Sequence, residues 1–317
     1  MSPFWIVPQE FFNIHPWLST NFAVTASTPL EHIIAYFVEA SDVQDLTHQL
    51  GSDSCRCSPR PIACGGLADV YRATLGDGTQ LAIKCLRRTT HSDSKELKRT
   101  ARELFTWSRL RHANVLELRG LAKFRDCLAM VSPWMEYGNV VALVNRQPDI
   151  DRFSLCKQLV NAVAYLHEIG VVHGDLKGDN VLVSSDGVVK LTDFGLSIVH
   201  EINLQLSESD PGGGTLRWMA PELLMDVGIR CKETDIYALG MTLLEVVTGQ
   251  LPFMELHSSH AIINAVTQDK KIPERPQQLH DESARNVLFW TVLHRCWAFE
   301  RSRRVTAKEV QALLTFL

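Results

Sequence analysis

The hydrophobic rhythm of the chain changes along its length. From Pro61 apolar and polar residues alternate in short runs, Val70-Tyr71-Arg72-Ala73 and Leu81-Ala82-Ile83-Lys84, joined through Gly76-Asp77-Gly78. A period of two around a glycine-containing turn predicts antiparallel strands. Lys95 to Arg111 then places Leu97, Ala101, Leu104 and Ser108 on one stripe, with charged residues opposite and Glu103 in the middle. That is the pattern of a helix lying against the sheet. After Met130-Val131 the helical period dominates: Leu155, Leu159, Ala162 and Leu166 recur and stop at Gly170, and Asp235 to Val247 is apolar nearly all round. The first of these predicts an amphipathic helix and the second a buried one. The sum is an α+β chain, with a small antiparallel sheet and one main helix followed by a larger, mainly helical part.

The first 58 residues stand apart. They carry no Lys or Arg before Arg56, are rich in aromatics early (Phe4, Trp5, Phe11, Phe12), and end in Gly51-Ser52-Asp53-Ser54 and Ser58-Pro59-Arg60-Pro61. They read as an N-terminal extension, partly helical or disordered, that is expected to be removable unless those aromatics cover an apolar patch on the rest of the chain. Within it Leu30 to Leu50 is predicted helical, with Ile34, Phe37 and Val38 inward as a packing element. An apolar start without a basic region does not make a signal or transit peptide. Glu31, Glu39, Asp42 and Asp45 interrupt the one stretch that approaches the roughly 20 apolar residues of a membrane span. A soluble chain with no membrane span is expected.

Composition narrows the partners. With 317 residues and 45% hydrophobic content the chain can bury a sizeable core, and a formal charge of −4 with a pI near 6.3 leaves no basic field for nucleic acid or anionic membrane. Small or proteinaceous partners remain. Eight cysteines are scattered from Cys55 to Cys296 without framework spacing. Cys55-x-Cys57 is too short and isolated for a zinc site, so these read as reduced thiols.

The chemistry concentrates in His173-Gly174-Asp175-Leu176-Lys177-Gly178-Asp179-Asn180 and the following Asp193-Phe194-Gly195. Any one of these residues alone is ordinarily a solvated loop or turn residue. The ordered set resembles the catalytic core of a protein kinase. In that resemblance Asp175 accepts the substrate hydroxyl proton, Lys177 steadies the moving phosphate, and Asn180 with Asp193 holds the metal ions that bridge the ATP phosphates. Ala63-Cys64-Gly65-Gly66-Leu67-Ala68-Asp69-Val70 resembles the glycine-rich loop that folds over the phosphates, with Ala63 and Ala68 where the family has glycine. Lys84 resembles the strand lysine that holds the α- and β-phosphates, with Glu103 as its helix partner, and His112-Ala113-Asn114-Val115 follows at the family's interval. Ser132-Pro133-Trp134-Met135 resembles the hinge: Ser132 is a small gatekeeper that leaves a deeper pocket, the backbone around Pro133 to Met135 bonds adenine, and Val70, Ala82 and Leu182 sandwich the ring.

Later motifs carry the resemblance from about residue 61 to 315. Thr215-Leu216-Arg217-Trp218-Met219-Ala220-Pro221-Glu222 resembles the close of the activation loop, Arg304 the buried partner of Glu222, and Asp235 with Gly240 the start of the central helix, whose aspartate braces the catalytic loop. Lys177 and Thr215 resemble a Ser/Thr kinase, and the wording Met135-Glu136-Tyr137-Gly138-Asn139, Trp218-Met219-Ala220-Pro221-Glu222 and Cys296-Trp297 is similar to the tyrosine-kinase-like group, most of which phosphorylates Ser and Thr. The resemblance implies a two-lobed kinase domain over 59–317, with an N-lobe of about 59–134 and a C-lobe of about 135–317. It also implies ATP as substrate, Mg2+ or Mn2+, a protein substrate with a Ser/Thr acceptor, and a cytoplasmic address that leaves the nucleus open. Arg301 and Val305 depart from it, standing where Pro is common, and so does Gly174, which replaces the usual arginine. Without that side chain, strict dependence on a phosphate at Ser207, Ser209 or Thr215 is not expected, unless another basic residue such as Arg217 takes over. A pseudokinase, suggested by Ala63, Ala68 and Gly174, is the alternative, and a small-molecule kinase is a more distant one.

Overall fold

The computed structural model describes residues 29–64, 68–87, 100, 103–199 and 215–317. Gly65, Gly66, Leu67, Leu97, Ala101, Ser207, Ser209 and the early aromatics lie outside the described residues. The chain divides into two compact units, one reaching to Arg109 and resuming over Glu117–Trp134, the other holding Leu110–Leu116 and Met135–Leu317.

The first unit is built on a seven-stranded sheet. Its elements are α1 (Leu30–Ala40), β1 (Gln44–Asp45), α2 (Thr47–Leu50), β2 (Arg56–Cys57), β3 (Ala63–Cys64), β4 (Ala68–Thr74), β5 (Gln80–Leu86), α3 (helical over 103–107), β6 (Gly120–Phe124) and β7 (Cys127–Pro133). The strand order is β1-β6-β7-β5-β4-β2, with β3 also on β4. Every pairing is antiparallel except β1 on β6. The register sets Val70 opposite Lys84 and Ala82 opposite Ser132, so these four share one face. The other face presents Ala73, Leu81, Ile83, Cys85, Ala129 and Val131, and Leu46 and Leu50 pack into the same buried cluster.

Leu46 and Leu50 come from the extension, and here the structure departs from the sequence reading. The continuous helix expected over Leu30 to Leu50 is instead α1, a break and α2. Ser41 is extended, at φ −154°, which turns the chain so that Gln44 and Asp45 lie beside β6. There the Gln44 N–H donates to Arg119 O at 3.2 Å and the Leu46 N–H to Leu121 O at 2.8 Å. One pairing position fixes the choice of residue: a Cβ on Gly120 would stand 2.6 Å from Gln44 O and from two carbons of Leu46. Ile33, Ile34, Phe37, Val43, Leu46 and Leu50 are all buried, and Glu31 pairs with Lys123 at 2.9 Å.

The second unit is mainly helical. Short strands β8 (Gly138–Asn139), β9 (Val171–Val172), β10 (Val181–Val183), β11 (Val189–Leu191) and β12 (Ile198–Val199) accompany α4 (Val140–Arg146), α5 (Arg152–Glu168), α6 (Pro221–Leu224), α7 (Lys232–Thr248), α8 (Ser259–Thr267), α9 (Ala284–Cys296) and α10 (Ala307–Leu314). Local signals set the ends: Asp151 caps α5 through the Ser154 N–H at 3.1 Å, and Gly249, at φ +71°, ends α7. Helix α7 is buried from Thr234 to Val247, as its all-round apolar pattern predicts. Residues 110–116 pack here, not with the sheet: the Leu116 N–H donates to Leu191 O at 2.9 Å, and Asn114 Nδ2 donates to Val189 O at 3.1 Å. Among the described residues no helix is long and apolar enough to cross a membrane.

Candidate active site

In the first unit Lys84 projects from β5 on the face it shares with Val70 and Ala82. Its Nζ lies 2.6 Å from Glu103 Oε1 on α3, and the Glu103 side chain is only 6% exposed. A carboxylate buried that far needs a cation, and Lys84 supplies it. Ala63 and Cys64 are exposed on β3, and Ala68 is buried at the start of β4. Ser132 is buried near the end of β7, next to half-buried Pro133 and Trp134. The Trp134 N–H is committed to Gln80 O at 3.0 Å.

In the second unit a tight loop between β9 and β10 carries Asp175, Lys177 and Asn180. Asp175 Oδ2 accepts from Lys177 Nζ at 2.7 Å and Asn180 Nδ2 at 3.1 Å. Asp175 Oδ1 is buried and takes no hydrogen bond from any described residue. An orphaned buried carboxylate oxygen costs about 1–3 kcal/mol, so this oxygen is a place where a further donor would be satisfied. Lys177 Nζ also stands 3.5 Å from Thr215 Oγ1. Asn180 spends its amide nitrogen on Asp175, with a second bond to the Asp175 carbonyl at 2.8 Å, which turns its amide oxygen the other way. The Thr192 N–H donates to Asn180 O at 3.0 Å, fastening the end of β11 and hence Asp193 to Asn180. An amide oxygen and a carboxylate are both hard oxygen donors, the chemistry that fits a divalent cation completed by waters and phosphate oxygens. Leu182 is half-buried on β10.

Helix α7 holds this loop from beneath. The Asp235 carboxylate accepts from the His173 and Gly174 N–H groups at 2.7 and 2.8 Å, and His167 Nε2 lies 3.0 Å away. One turn from its end, Glu245 Oε2 accepts from the Gly178 N–H at 2.8 Å and from Trp218 Nε1 at 2.9 Å, tying the loop to the Thr215–Trp218 turn. Glu245 is a brace that the sequence reading missed, although a lone carboxylate in the last turns of an apolar helix was a visible signal. Glu222, on α6, makes a two-pronged pair with Arg304 at 2.7 and 2.8 Å. Arg217 donates to the carbonyls of Pro252, Phe253 and Leu256.

Burial pushes the Glu245 carboxyl up to about 7 from 4.5, against the lowering effect of its two N–H donors. The sign follows: the folded state holds this proton more tightly, so the contribution is complete below pH 4.5 and lost as pH rises through 7. The span corresponds to something on the order of 3 kcal/mol. Glu245→Gln keeps an acceptor for both N–H groups and removes the titration. Melting curves of the two proteins should therefore coincide best near pH 4, with the variant gaining several degrees by pH 8; parallel pH profiles would show that Glu245 does not titrate in this range.

The protein kinase domain family's sequence profile matches residues 59–314. The chain is similar to mitogen-activated protein kinase kinase kinase 3 of Arabidopsis thaliana, 30% identical over 78% of this chain and 39% of that one. It is similar also to the serine/threonine-protein kinase STY46 of the same plant, 28% identical over 78% of this chain and 42% of that one, and to its L-type lectin-domain containing receptor kinase I.3, 34% identical over 60% and 29%. The chain thus spans well under half the length of these relatives. The profile takes in both the Lys84–Glu103 pair and the Asp175 loop, and this chain belongs to the protein kinase superfamily, with the two-lobed α+β kinase fold.

Proposed function

We propose that this domain is catalytically competent and transfers the γ-phosphoryl group of ATP to Ser or Thr hydroxyls of protein substrates, using Mg2+ or Mn2+. The observation that carries the reading is the orphaned, buried Oδ1 of Asp175 beside Lys177. A substrate hydroxyl is the donor this oxygen lacks. As the hydroxyl oxygen bonds to the γ-phosphorus and the bond to the β-phosphate oxygen breaks, its proton passes to Asp175 and ADP leaves. Lys177, held on the other carboxylate oxygen, is assigned to the charge on the phosphoryl group in flight. Lys84 is assigned to the α- and β-phosphates, kept extended by Glu103, and the Pro133 carbonyl and Met135 backbone to adenine. Asn180 and Asp193 would hold the metal, which when bound neutralises phosphate charge. Eight free thiols, four of them buried, fit a reducing compartment, the cytoplasm or the nucleus.

The pseudokinase alternative rests on Ala63 and Ala68, each of which adds only a methyl group, and on Gly174, which removes the usual arginine but no group assigned to ATP. The two readings separate on Lys84→Met. ATP binding by calorimetry should weaken by less than about tenfold, while metal-dependent transfer of labelled phosphate to Ser/Thr peptides falls by about 100-fold. Wild-type protein that binds ATP and transfers nothing would establish the pseudokinase, and equal turnover in Lys84→Met would remove Lys84 from the mechanism.

A further inference from the structure

The peptide entering Asp175 is the least constrained point of the catalytic loop by sequence, because residue 174 is a glycine at φ +80°. A side chain there would be strained by that φ and crowded: its Cβ would lie 2.7 Å from Leu196 O and 2.9 Å from Arg230 Cδ. Glycine relieves the strain and leaves the backbone loose. Arg230 occupies the vacated volume from the segment before α7. Its Nε donates to Gly174 O at 3.2 Å.

The other groups of this stretch are already held. The His173 and Gly174 N–H groups go to Asp235, the His173 carbonyl accepts from Ser197 Oγ at 3.2 Å, and the Asp175 N–H donates to His173 Nδ1 at 3.2 Å. The peptide plane joining 174 to 175 therefore has its N–H fixed by His173 and its oxygen fixed by Arg230. Rotation of that plane is the motion that would swing the Asp175 Cα–Cβ bond away from Lys177 and Asn180. Arg230 also lines a small cavity with Asp175, Thr215, Met219 and Leu223.

We infer that Arg230 is a positioning residue for Asp175, acting through the Gly174 carbonyl and supplying from outside the loop the rigidity that a glycine at 174 withholds. The inference rests on the proposed activity. Its test uses side-chain shape: Gln places an amide nitrogen where Arg has Nε, Glu places an oxygen there, and Met fills similar volume with no donor. R230M should lower kcat about tenfold, the equivalent of one hydrogen bond, with the Kd for ATP within twofold of wild type. R230Q should recover to within about threefold of wild type although it has no charge. R230E, the same shape without a donor, should be as slow as R230M or slower, and it carries the comparison should R230M not fold. Turnover of R230M within twofold of wild type overturns the inference and leaves the kinase reading standing. R230Q as slow as R230M overturns it too, because charge and not the carbonyl contact would then be the role. A wild-type protein without turnover overturns both.

Discussion

Asp175→Asn is expected to lower kcat by about 10²–10⁴-fold, the usual contribution of a positioned general base, while leaving ATP affinity and melting temperature close to wild type. The substitution is nearly isosteric and retains an oxygen for Lys177 and Asn180, which now share Asp175 Oδ2 at 2.7 and 3.1 Å. It removes the ability to take a proton at the position where Oδ1 is buried without a donor. Full turnover by this variant would end the assignment of Asp175 as base. A large loss of melting temperature would instead show that its charge mainly supports the fold.

Starting the chain at Pro59 is expected to cost the first unit its stability, with insoluble protein or a melting temperature lower by more than about 10 °C. Ile33, Ile34, Phe37, Val43, Leu46 and Leu50 are buried, and fully burying one such side chain is worth roughly 1.5–3 kcal/mol. Even allowing generously for residual structure in the unfolded chain, the sum rivals the net stability of about 5–15 kcal/mol typical of a native protein. Losing them also bares the sheet face around Leu81, Ile83 and Val131. Gly120→Val is a milder version, because the atoms nearest its new Cβ belong to Gln44 and Leu46. A truncated protein that melts within a few degrees of the full chain would restore the view of the extension as dispensable.

The catalytic loop was legible in the sequence because its chemistry is contiguous: Asp175, Lys177 and Asn180 fall within six residues, and the tight turn between β9 and β10 gives them little choice but to meet. The Arg304–Glu222 pair and the Asp235 brace became legible only through resemblance, since 82 and 62 residues separate the partners. Arg230 was invisible for a different reason. Its role depends on what Gly174 lacks, and an absent side chain leaves no pattern for periodicity to detect. The break in the helix expected over Leu30 to Leu50 was not foreseen because β1 has only two residues, too few for any alternation to show. The break at Ser41 is dictated by a strand that lies much later in the chain, so local propensity favoured the uninterrupted helix.

That late partner has a consequence for how the protein is made. Gln44 leaves the ribosome well before Gly120, its partner in the parallel pair, so the apolar residues of the extension are synthesised before the strand that anchors them exists. Pairings between distant segments form slowly, because the loop between them must close first. Until that happens β6 is an edge strand whose carbonyls at Arg119 and Leu121, the acceptors for Gln44 and Leu46, are open to any other nascent chain. Between translation of β6 and capture of β1 the apolar extension and this open edge are therefore both exposed to chaperones and to neighbouring nascent chains.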